Sequence, residues 1–323
     1  MLRLLFLGDI IGEPGRRAVV ESLPHLKEER GLDFIVVNGE NSAMGRGITP
    51  KISIDLLRAG AAVITTGDHV WDQREIVPYL DTEPRLLRPL NYPPGTPGLG
   101  SIVLDTPKGK VAVVNVQGRT FMQPPIENPF LAMRDEVERL RQETRVIFVD
   151  MHAETTSEKI AMGRFLDGKV SAVVGTHTHT QTADEQIFPG GTAFLCDAGM
   201  CGPSESCLGR EIEPIVKKFL TGRPIQFPVA RGPVKMTARS SRSTSRPGAR
   251  CASSDSRRCF KARRIRTIAD APVWRRQADT PVRGISVRKK TRLHCGPECP
   301  LYVASAAATQ RLRASEAAGI VRA

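Results

Sequence analysis

Two histidines separated by one residue follow a short apolar stretch in the second half of the chain. Residues 171–174 predict a buried strand, and His177 and His179 come shortly after it, past Gly175. Where a strand ends, the chain leaves the regular pleat, so both imidazoles can turn toward one point. Imidazole is a common ligand for zinc, iron, nickel and copper. The pair indicates a metal site, although two surface histidines are an equally good interpretation of this motif alone.

Four other predicted strands end in groups that can bind metals. These strands span residues 4–7, 34–38, 63–66 and 146–149. The carboxyl ends of parallel strands in an α/β sheet meet at one edge and form a crevice there. The side chains that we expect to share this crevice are Asp9, Glu40, Asn41, Asp68, His69, His152, His177 and His179.

Several carboxylates in one cleft repel one another, and two divalent cations would offset that repulsion. Two-metal sites, with ions roughly 3.5–4 Å apart, typically hydrolyse phosphate esters. Oxygen and nitrogen donors without thiolates suit iron, manganese or zinc, and residue type does not choose among them. His69 directly follows a predicted ligand, so it could face the substrate and protonate the leaving alkoxide as a general acid. The alternative is a histidine that packs beneath a loop.

Three polar residues in predicted loops are candidates for holding phosphate or the distal part of a substrate. They are Arg88, Asn91 and Arg119, and ordinary surface loop residues are an equally good interpretation. Asp197 could orient a metal-bound imidazole, or it could be a solvated loop residue. Thr155 and Glu158 have the spacing of a capping box at the start of a helix.

The order of elements predicts a layered α/β domain. Predicted strands at 2–7, 34–38 and 62–66 alternate with helices at 16–30 and from Pro50 to about residue 60. A hairpin at 101–116, a helix at 131–143, the strands before His152 and His177, a strand at 194–197 and a helix at 213–220 follow.

Charge divides the chain into two parts. The net charge is +13, and about 20 of the 47 basic residues lie after residue 236, with about 5 acidic ones. Residues 1–236 are thus nearly neutral and predict one globular domain, whereas the Arg/Ser-rich residues 237–323 predict a disordered tail.

No apolar run is long enough to span a membrane and no signal peptide is evident, which favours the cytoplasm. Seven irregularly spaced cysteines indicate reduced thiols.

Six longer stretches within residues 1–236 form an ordered pattern. They read FLGDIIG at 6–12, NGEN at 38–41, HVWD at 69–72, LRPLNYPPGTPG at 87–98, DMHAETTSEK at 150–159 and GTHTHTQTAD at 175–184. This pattern resembles the YmdB family of calcineurin-like metallophosphoesterases. The resemblance implies a two-sheet α/β sandwich flanked by helices. It also implies phosphodiesterase activity, with 2′,3′-cyclic nucleotides as the substrate class, and two divalent ions, iron or manganese.

The resemblance also implies a division of ligands between the two metals. One metal would be held by Asp9, Glu40, Asn41 and His179. The other would be held by Glu40 as the bridging ligand together with Asp68, His152 and His177. His69 would be the general acid.

Three departures from the family pattern are visible. Asp9 is followed by two isoleucines instead of the Asp-x-His of the wider superfamily, a loss that the YmdB group shares. Asp68 stands where the family has asparagine, which adds a negative charge that could tighten metal binding and weaken the attraction for an anionic phosphate. The family ends in a β-rich segment, whereas residues from Thr237 onward are Arg/Ser-rich. A change of reading frame would account for this, and the missing strand would expose a sheet edge.

Two other functional classes compete with the phosphodiesterase. A metal-dependent amide or deamination hydrolase also uses His-x-His, but no lysine occupies an obvious bridging position. A nucleic-acid-binding protein would use the basic tail, since Arg/Ser-rich segments bind RNA phosphates. We further expect a homo-oligomer and no membrane association.

Overall fold

Two six-stranded sheets and one three-stranded sheet make up the described part of this computed structural model, residues 2–243 and 266–267. The helices are α1 (Gly12–Arg30), α2 (Pro50–Arg58), α3 (Ile76–Leu80), α4 (Pro129–Leu140), α5 (Thr156–Phe165) and α6 (Ile212–Thr221). The strands are β1 (Leu2–Leu7), β2 (Asp9–Ile10), β3 (Phe34–Asn38), β4 (Val63–Thr65), β5 (Leu86–Leu87), β6 (Ser101–Thr106), β7 (Gly109–Gln117), β8 (Ile147–His152), β9 (Ala172–Thr176), β10 (Gln186–Ile187), β11 (Ala193–Leu195), β12 (Met200–Pro203), β13 (Val234–Met236), β14 (Ala238–Ser243) and β15 (Arg266–Thr267).

Each large sheet has a parallel centre. The first has the order β15-β14-β1-β3-β4-β5, in which β1, β3, β4 and β5 run parallel. The second has the order β10-β11-β9-β8-β7-β6, in which β7, β8, β9 and β11 run parallel. The small sheet has the order β13-β12-β2. The α/β class predicted from the sequence is confirmed.

The two large sheets pack face to face. Apolar side chains of both sheets form one core between them, in which the rings of Phe6 and Phe148 lie 5.0 Å apart. The opposite face of the first sheet packs against α1 and α2, and that of the second sheet packs against α4 and α5. Strands buried on both faces explain why β1, β3 and β8 read as continuous apolar runs.

Local capping signals predicted the start of α2 correctly, but the capping box predicted for α5 did not form. The Thr49 side chain accepts a hydrogen bond from the Ile52 amide and starts α2, as expected of an N-cap residue. The capping box predicted at α5 is wrong. The Thr155 side chain makes no capping bond, and Glu158 instead accepts hydrogen bonds from the backbone amides of Arg119 and Thr120. The Glu158 carboxylate, which the local motif predicted would cap the helix, binds the distant loop at residues 119 and 120 instead.

The start of the basic tail is a strand. We expected no strand from residue 237 onward, but β14 pairs antiparallel with β1, with Leu2 opposite Ser243 and Leu7 opposite Ala238. Backbone groups along the free edge of β1 can be paired by a segment without an apolar side-chain pattern. We predicted that a missing strand would expose a sheet edge, but β14 covers the edge of β1. Apart from β14 and β15, the predicted disordered tail lies outside the described residues, and a change of reading frame stays a hypothesis.

Within residues 2–243 and 266–267, no helix combines the length and the apolar character that a membrane span requires.

Candidate metal centre

The carboxyl ends of four neighbouring strands bring the predicted site residues together. Glu40 and Asn41 follow β3, Asp68 and His69 follow β4, His152 ends β8, and His177 and His179 follow β9. Asp9 opens β2, where the chain leaves the first sheet to join the small one. Parallel strands in two facing sheets thus deliver their terminal residues to one place.

Four of these residues form a tight group, which we call the carboxylate cluster: Glu40, Asp68, His152 and His177. One ligand atom from each lies within 4.8 Å of all the others. His152 Nε2 lies 3.0 Å from Asp68 Oδ1, 3.1 Å from Glu40 Oε2 and 3.1 Å from His177 Nδ1. His177 Nδ1 lies 3.4 Å from Asp68 Oδ1. Two carboxylates and two imidazoles aimed at one point are the donor set of a divalent cation site.

A buried hydrogen-bond chain fixes the orientation of His152. Thr176 Oγ1 donates to Asp150 Oδ1 at 2.6 Å, so its oxygen is left to accept from His152 Nδ1 at 3.0 Å. Asp150 is fully buried and also accepts from Asn38 and Thr65. Burial raises the pKa of Asp150 to about 6. With its proton held on Nδ1, His152 presents Nε2 to the carboxylate cluster, as a metal ligand must.

The charges of the carboxylate cluster perturb one another strongly. Burial raises the pKa of Glu40 well above its usual range. Burial also disfavours a charged His152, but the Glu40 and Asp68 carboxylates outweigh it and raise the pKa of His152 well above its usual range. Burial opposes ionisation of Asp68, but hydrogen bonds from His152 and His177 hold its pKa far below normal. The two carboxylates thus attract positive charge to the point that His152 Nε2 faces.

Three further residues form a second group, which we call the amide cluster: Asp9, Asn41 and His179. His179 Nε2 lies 3.1 Å from Asn41 Oδ1 and 3.9 Å from Asp9 Oδ1. The other ring nitrogen, Nδ1, bonds to the Leu208 carbonyl at 3.2 Å. Burial lowers the pKa of His179, so the neutral imidazole is favoured. Asp9 is fully buried, and its Oδ2 accepts from the His177 amide at 3.2 Å.

Both clusters fit divalent cations. Asp9 Oδ1 is a buried acceptor without a hydrogen-bond donor among the described residues, and the buried Glu40 Oε2 lies 3.1 Å from His152 Nε2. Buried carboxylate oxygens need a positive partner, and a cation supplies one. Gly67 leaves the required space, because a Cβ atom there would collide with Glu40 Oε2 and His152 Nε2. The oxygen and nitrogen donors of these residues match the chemistry of iron, manganese and zinc.

His69 lies at the edge of the carboxylate cluster, with about a quarter of its side chain exposed. Its Nδ1 is 3.2 Å from Asp72 Oδ2, and its Nε2 is 3.8 Å from Asp68 Oδ2. Arg46 bonds to the same Asp72 oxygen at 2.7 Å. Burial lowers the pKa of His69, and nearby Arg46 acts in the same direction, whereas Asp68 opposes it. His69 is thus an accessible imidazole oriented by a carboxylate.

The three predicted substrate-binding residues have different surroundings. The Arg88 guanidinium donates to the backbone carbonyls of residues 89, 90, 96 and 97. Asn91 is buried, donates to the carbonyls of Gln117 and Glu127, and accepts from the Gln117 amide. These contacts show that Arg88 and Asn91 support the loops, and their substrate-binding role stays a prediction. Arg119 is exposed in the loop after β7 and keeps its guanidinium available.

Sequence reasoning missed a buried lysine behind the histidine loop. Lys159 of α5 forms an ion pair with Asp197, with Nζ 2.7 Å from Oδ2 and both side chains 1% exposed. We considered that Asp197 orients a metal-bound imidazole, but its side chain bonds to Lys159, Thr178 and Gly199 instead. It accepts from the amide and hydroxyl of Thr178, the residue between His177 and His179. The only sequence signal for Asp197 was its position at the end of a buried strand, and a lysine in a predicted helix gave no signal.

Comparison with known proteins gives concordant results. The model of the YmdB-like protein family matches residues 5–248. The 2′,3′-cyclic-nucleotide 2′-phosphodiesterase of Bacillus subtilis (strain 168) is 48% identical over 231 residues, which are 72% of this chain and 87% of that protein. A putative phosphatase/phosphodiesterase of Mycoplasma pneumoniae is 35% identical over 236 residues, covering 71% of this chain and 83% of that one.

A solved structure shows the same fold. The crystal structure of a hypothetical protein from Thermus thermophilus superposes with a TM-score of 0.70 at 41% identity, covering 74% of this chain and 93% of that one. The match of the family model and the identity to these relatives confirm the resemblance of the sequence motifs. The chain belongs to the YmdB-like family, and it is an enzyme of the hydrolase class.

Proposed function

We propose that the protein is a metal-dependent phosphodiesterase that hydrolyses 2′,3′-cyclic nucleotides. The observation that carries the proposal is the convergence of the four ligand atoms of the carboxylate cluster within 4.8 Å, beside the accessible imidazole of His69. The Bacillus subtilis relative is named for this substrate class, and its 48% identity to this chain supports the same class here. The two facing sheets with helices outside support a calcineurin-like sandwich.

In this proposal the two clusters hold two cations. The amide cluster and Glu40 hold one, and the carboxylate cluster holds the other, so Glu40 is shared. Its place in the chain supports this role, because Glu40 belongs to the carboxylate cluster and directly precedes Asn41 of the amide cluster. Iron or manganese is the proposed metal, with zinc as the alternative. When bound, the cations supply positive charge against the phosphate oxygens and an acidified water.

His69 is the proposed general acid. Its Nδ1 lies 3.2 Å from Asp72 Oδ2 and 3.4 Å from Arg46 Nη2, so Nε2, which lies 3.8 Å from Asp68 Oδ2, is the proposed carrier of the transferable proton. As water adds to phosphorus, the bond from phosphorus to the leaving ribose oxygen breaks, and that oxygen takes the His69 proton. A lowered pKa makes the His69 imidazolium a stronger acid. The exposed Arg119 is the proposed partner of the substrate anion.

Hydrolysis of 2′,3′-cyclic AMP with added Mn²⁺ tests the proposal. We expect turnover by the wild type and a loss of about 10²–10⁴-fold in kcat for His69→Ala, with its metal content unchanged. His25→Ala is the matched control, since His25 lies on α1 with 80% of its side chain exposed. Absence of metal-dependent turnover in the wild type, or full activity of His69→Ala, would contradict the proposal.

The RNA-binding alternative depends on residues 237–323, most of which lie outside the described residues. It stays a prediction, as do a homo-oligomer and a cytoplasmic location. No contact among the described residues favours RNA binding over hydrolysis.

A further inference from the structure

We propose that the buried ion pair of Lys159 and Asp197 positions the segment 177–179 so that its two histidines serve two different metal clusters. The inference rests on the proposed metal centre, and it assigns positioning roles to residues that contact neither the substrate nor a metal. The ion pair acts through Thr178, which lies between the two histidines.

The backbone of the histidine segment adopts an uncommon conformation. His177 has φ 94° and His179 has φ 63°, values that residues with a side chain rarely adopt. This conformation aims the two rings apart. His177 Nδ1 lies 3.1 Å from His152 Nε2 in the carboxylate cluster, whereas His179 Nε2 lies 3.1 Å from Asn41 Oδ1 in the amide cluster. Such backbone strain persists only where the surrounding structure holds it.

Asp197 is the group that holds the segment. Its Oδ2 accepts from the Thr178 amide at 3.2 Å and from the Thr178 hydroxyl at 2.7 Å. Its Oδ1 accepts from the Gly199 amide at 2.7 Å. The Asp197 backbone also pairs with Thr182, so one residue fixes both ends of the loop that follows the histidines.

Lys159 lets Asp197 remain in the interior as a charged acceptor. A buried carboxylate requires a cation, and Lys159 Nζ lies 2.7 Å away with its side chain 1% exposed. The lysine reaches Asp197 past Gly175 of β9. A Cβ atom at Gly175 would lie 2.8 Å from Lys159 Cδ and would collide with the Cys196 carbonyl. The glycine before the two histidines thus makes room for the Cys196 backbone and also for the side chain of Lys159.

Thr178 offers the sharpest test, because it is only half-buried and its replacement does not open the core. Thr178→Val keeps the size of the side chain and removes the hydroxyl, whereas Thr178→Ser retains the hydroxyl. We expect Mn²⁺ affinity, measured by calorimetry, to fall about 10-fold or more in Thr178→Val and to stay within about twofold in Thr178→Ser. We expect the Tm of the metal-free protein to be nearly unchanged in both. Equal Mn²⁺ affinity of Thr178→Val and wild type would overturn the inference.

A second test removes the charges themselves. Lys159→Met alone leaves a buried unpaired carboxylate, so we expect a large loss of Tm. Adding Asp197→Asn removes that charge and should restore much of the Tm. Mn²⁺ affinity should stay about 10-fold below wild type, because an amide has one acceptor oxygen for the donors of Thr178 and Gly199. Wild-type Mn²⁺ affinity in the folded double variant would overturn the inference.

Thr192→Val is the matched control for destabilisation. Thr192 is buried, and its hydroxyl donates to the Val170 carbonyl near the amino end of β11, at the opposite end of the sheet from the metal centre. The Thr192→Val substitution should lower the Tm and leave Mn²⁺ affinity unchanged. Calorimetry measures Mn²⁺ binding without a substrate, so the positioning role can be tested independently of the proposed phosphodiesterase activity. A wild type that binds Mn²⁺ without hydrolysing 2′,3′-cyclic AMP contradicts the proposed function, whereas the Thr178 variants decide the positioning role.

Discussion

The two proposed metal clusters are built differently although the residues of both lie near the carboxyl ends of strands in the two facing sheets. The carboxylate cluster has two carboxylates and two imidazoles in mutual contact, and His152 is locked by the chain through Thr176 to Asp150. The amide cluster has one carboxylate of its own, a neutral amide, and 3.9 Å between His179 Nε2 and Asp9 Oδ1. More negative charge and closer donors favour tighter cation binding. The comparison therefore predicts a tight and a weak metal position in one centre.

The largest expected effect distinguishes the two clusters directly. His152→Ala removes the ligand that contacts three others, so we expect the tight metal to be lost and activity to fall below about 1% of wild type. His179→Ala should lower the occupancy of the weak position and leave the tight metal bound. Metal content after gel filtration, measured by mass spectrometry, checks both variants. Equal losses of metal would contradict the asymmetry.

A pair of charge changes sharpens the comparison. Asp68→Asn removes one of two carboxylates from the carboxylate cluster, and we expect Mn²⁺ to bind about 10-fold more weakly at the tight position. Asn41→Asp adds a charge to the amide cluster and should tighten the weak position by a similar factor. Calorimetric titration resolves the two steps. The resemblance of the sequence motifs implies asparagine at position 68, so Asp68→Asn also tests whether Asp68 slows hydrolysis. A higher kcat in Asp68→Asn would mean that it does.

The carboxylate cluster also makes the metal effect on stability depend on pH. In the metal-free protein the pKa values of Glu40 and His152 are raised relative to the unfolded chain. Their contribution to stability is therefore complete at a pH below the pKa values of the unfolded state, and it is lost as the pH rises through the pKa values of the folded state. A cation displaces the His152 proton and offsets this loss. We expect the gain in Tm on adding Mn²⁺ to increase from about pH 5.5 to about pH 8. Differential scanning calorimetry measures it, and a gain that is constant or falls with pH would contradict this prediction.

The smallest expected effects concern the loops around the centre. Arg119→Ala removes an exposed cation, so we expect KM for 2′,3′-cyclic AMP to rise about 3- to 10-fold with kcat nearly unchanged. Arg88→Ala leaves several loop carbonyls without donors and should lower the Tm without a selective effect on KM. Steady-state kinetics and thermal unfolding distinguish the two arginines. A larger KM effect in Arg88→Ala than in Arg119→Ala would favour the predicted substrate-binding role of Arg88.

Much of the fold followed from local signals. Apolar runs located β1 and β3, and Thr49 located the start of α2, because buried strands and caps leave their mark within a few residues. The strand β14 was missed, since pairing along a free backbone edge does not require an apolar pattern. The capping box at Thr155 failed for a related reason: a distant loop competed for the Glu158 carboxylate.

The sequence by itself determined the types of the candidate ligands and their places after strands, because parallel strands carry the residues that follow them to one edge of their sheet. It also determined the family. Only the tertiary structure decided which ligands contact each other, that Arg88 supports a loop, and that Lys159 reaches Asp197 across 38 residues of chain. A lone lysine or aspartate looks the same in sequence whether it is solvated or buried. Its role is decided by which partner the packing of helices and sheets places against it.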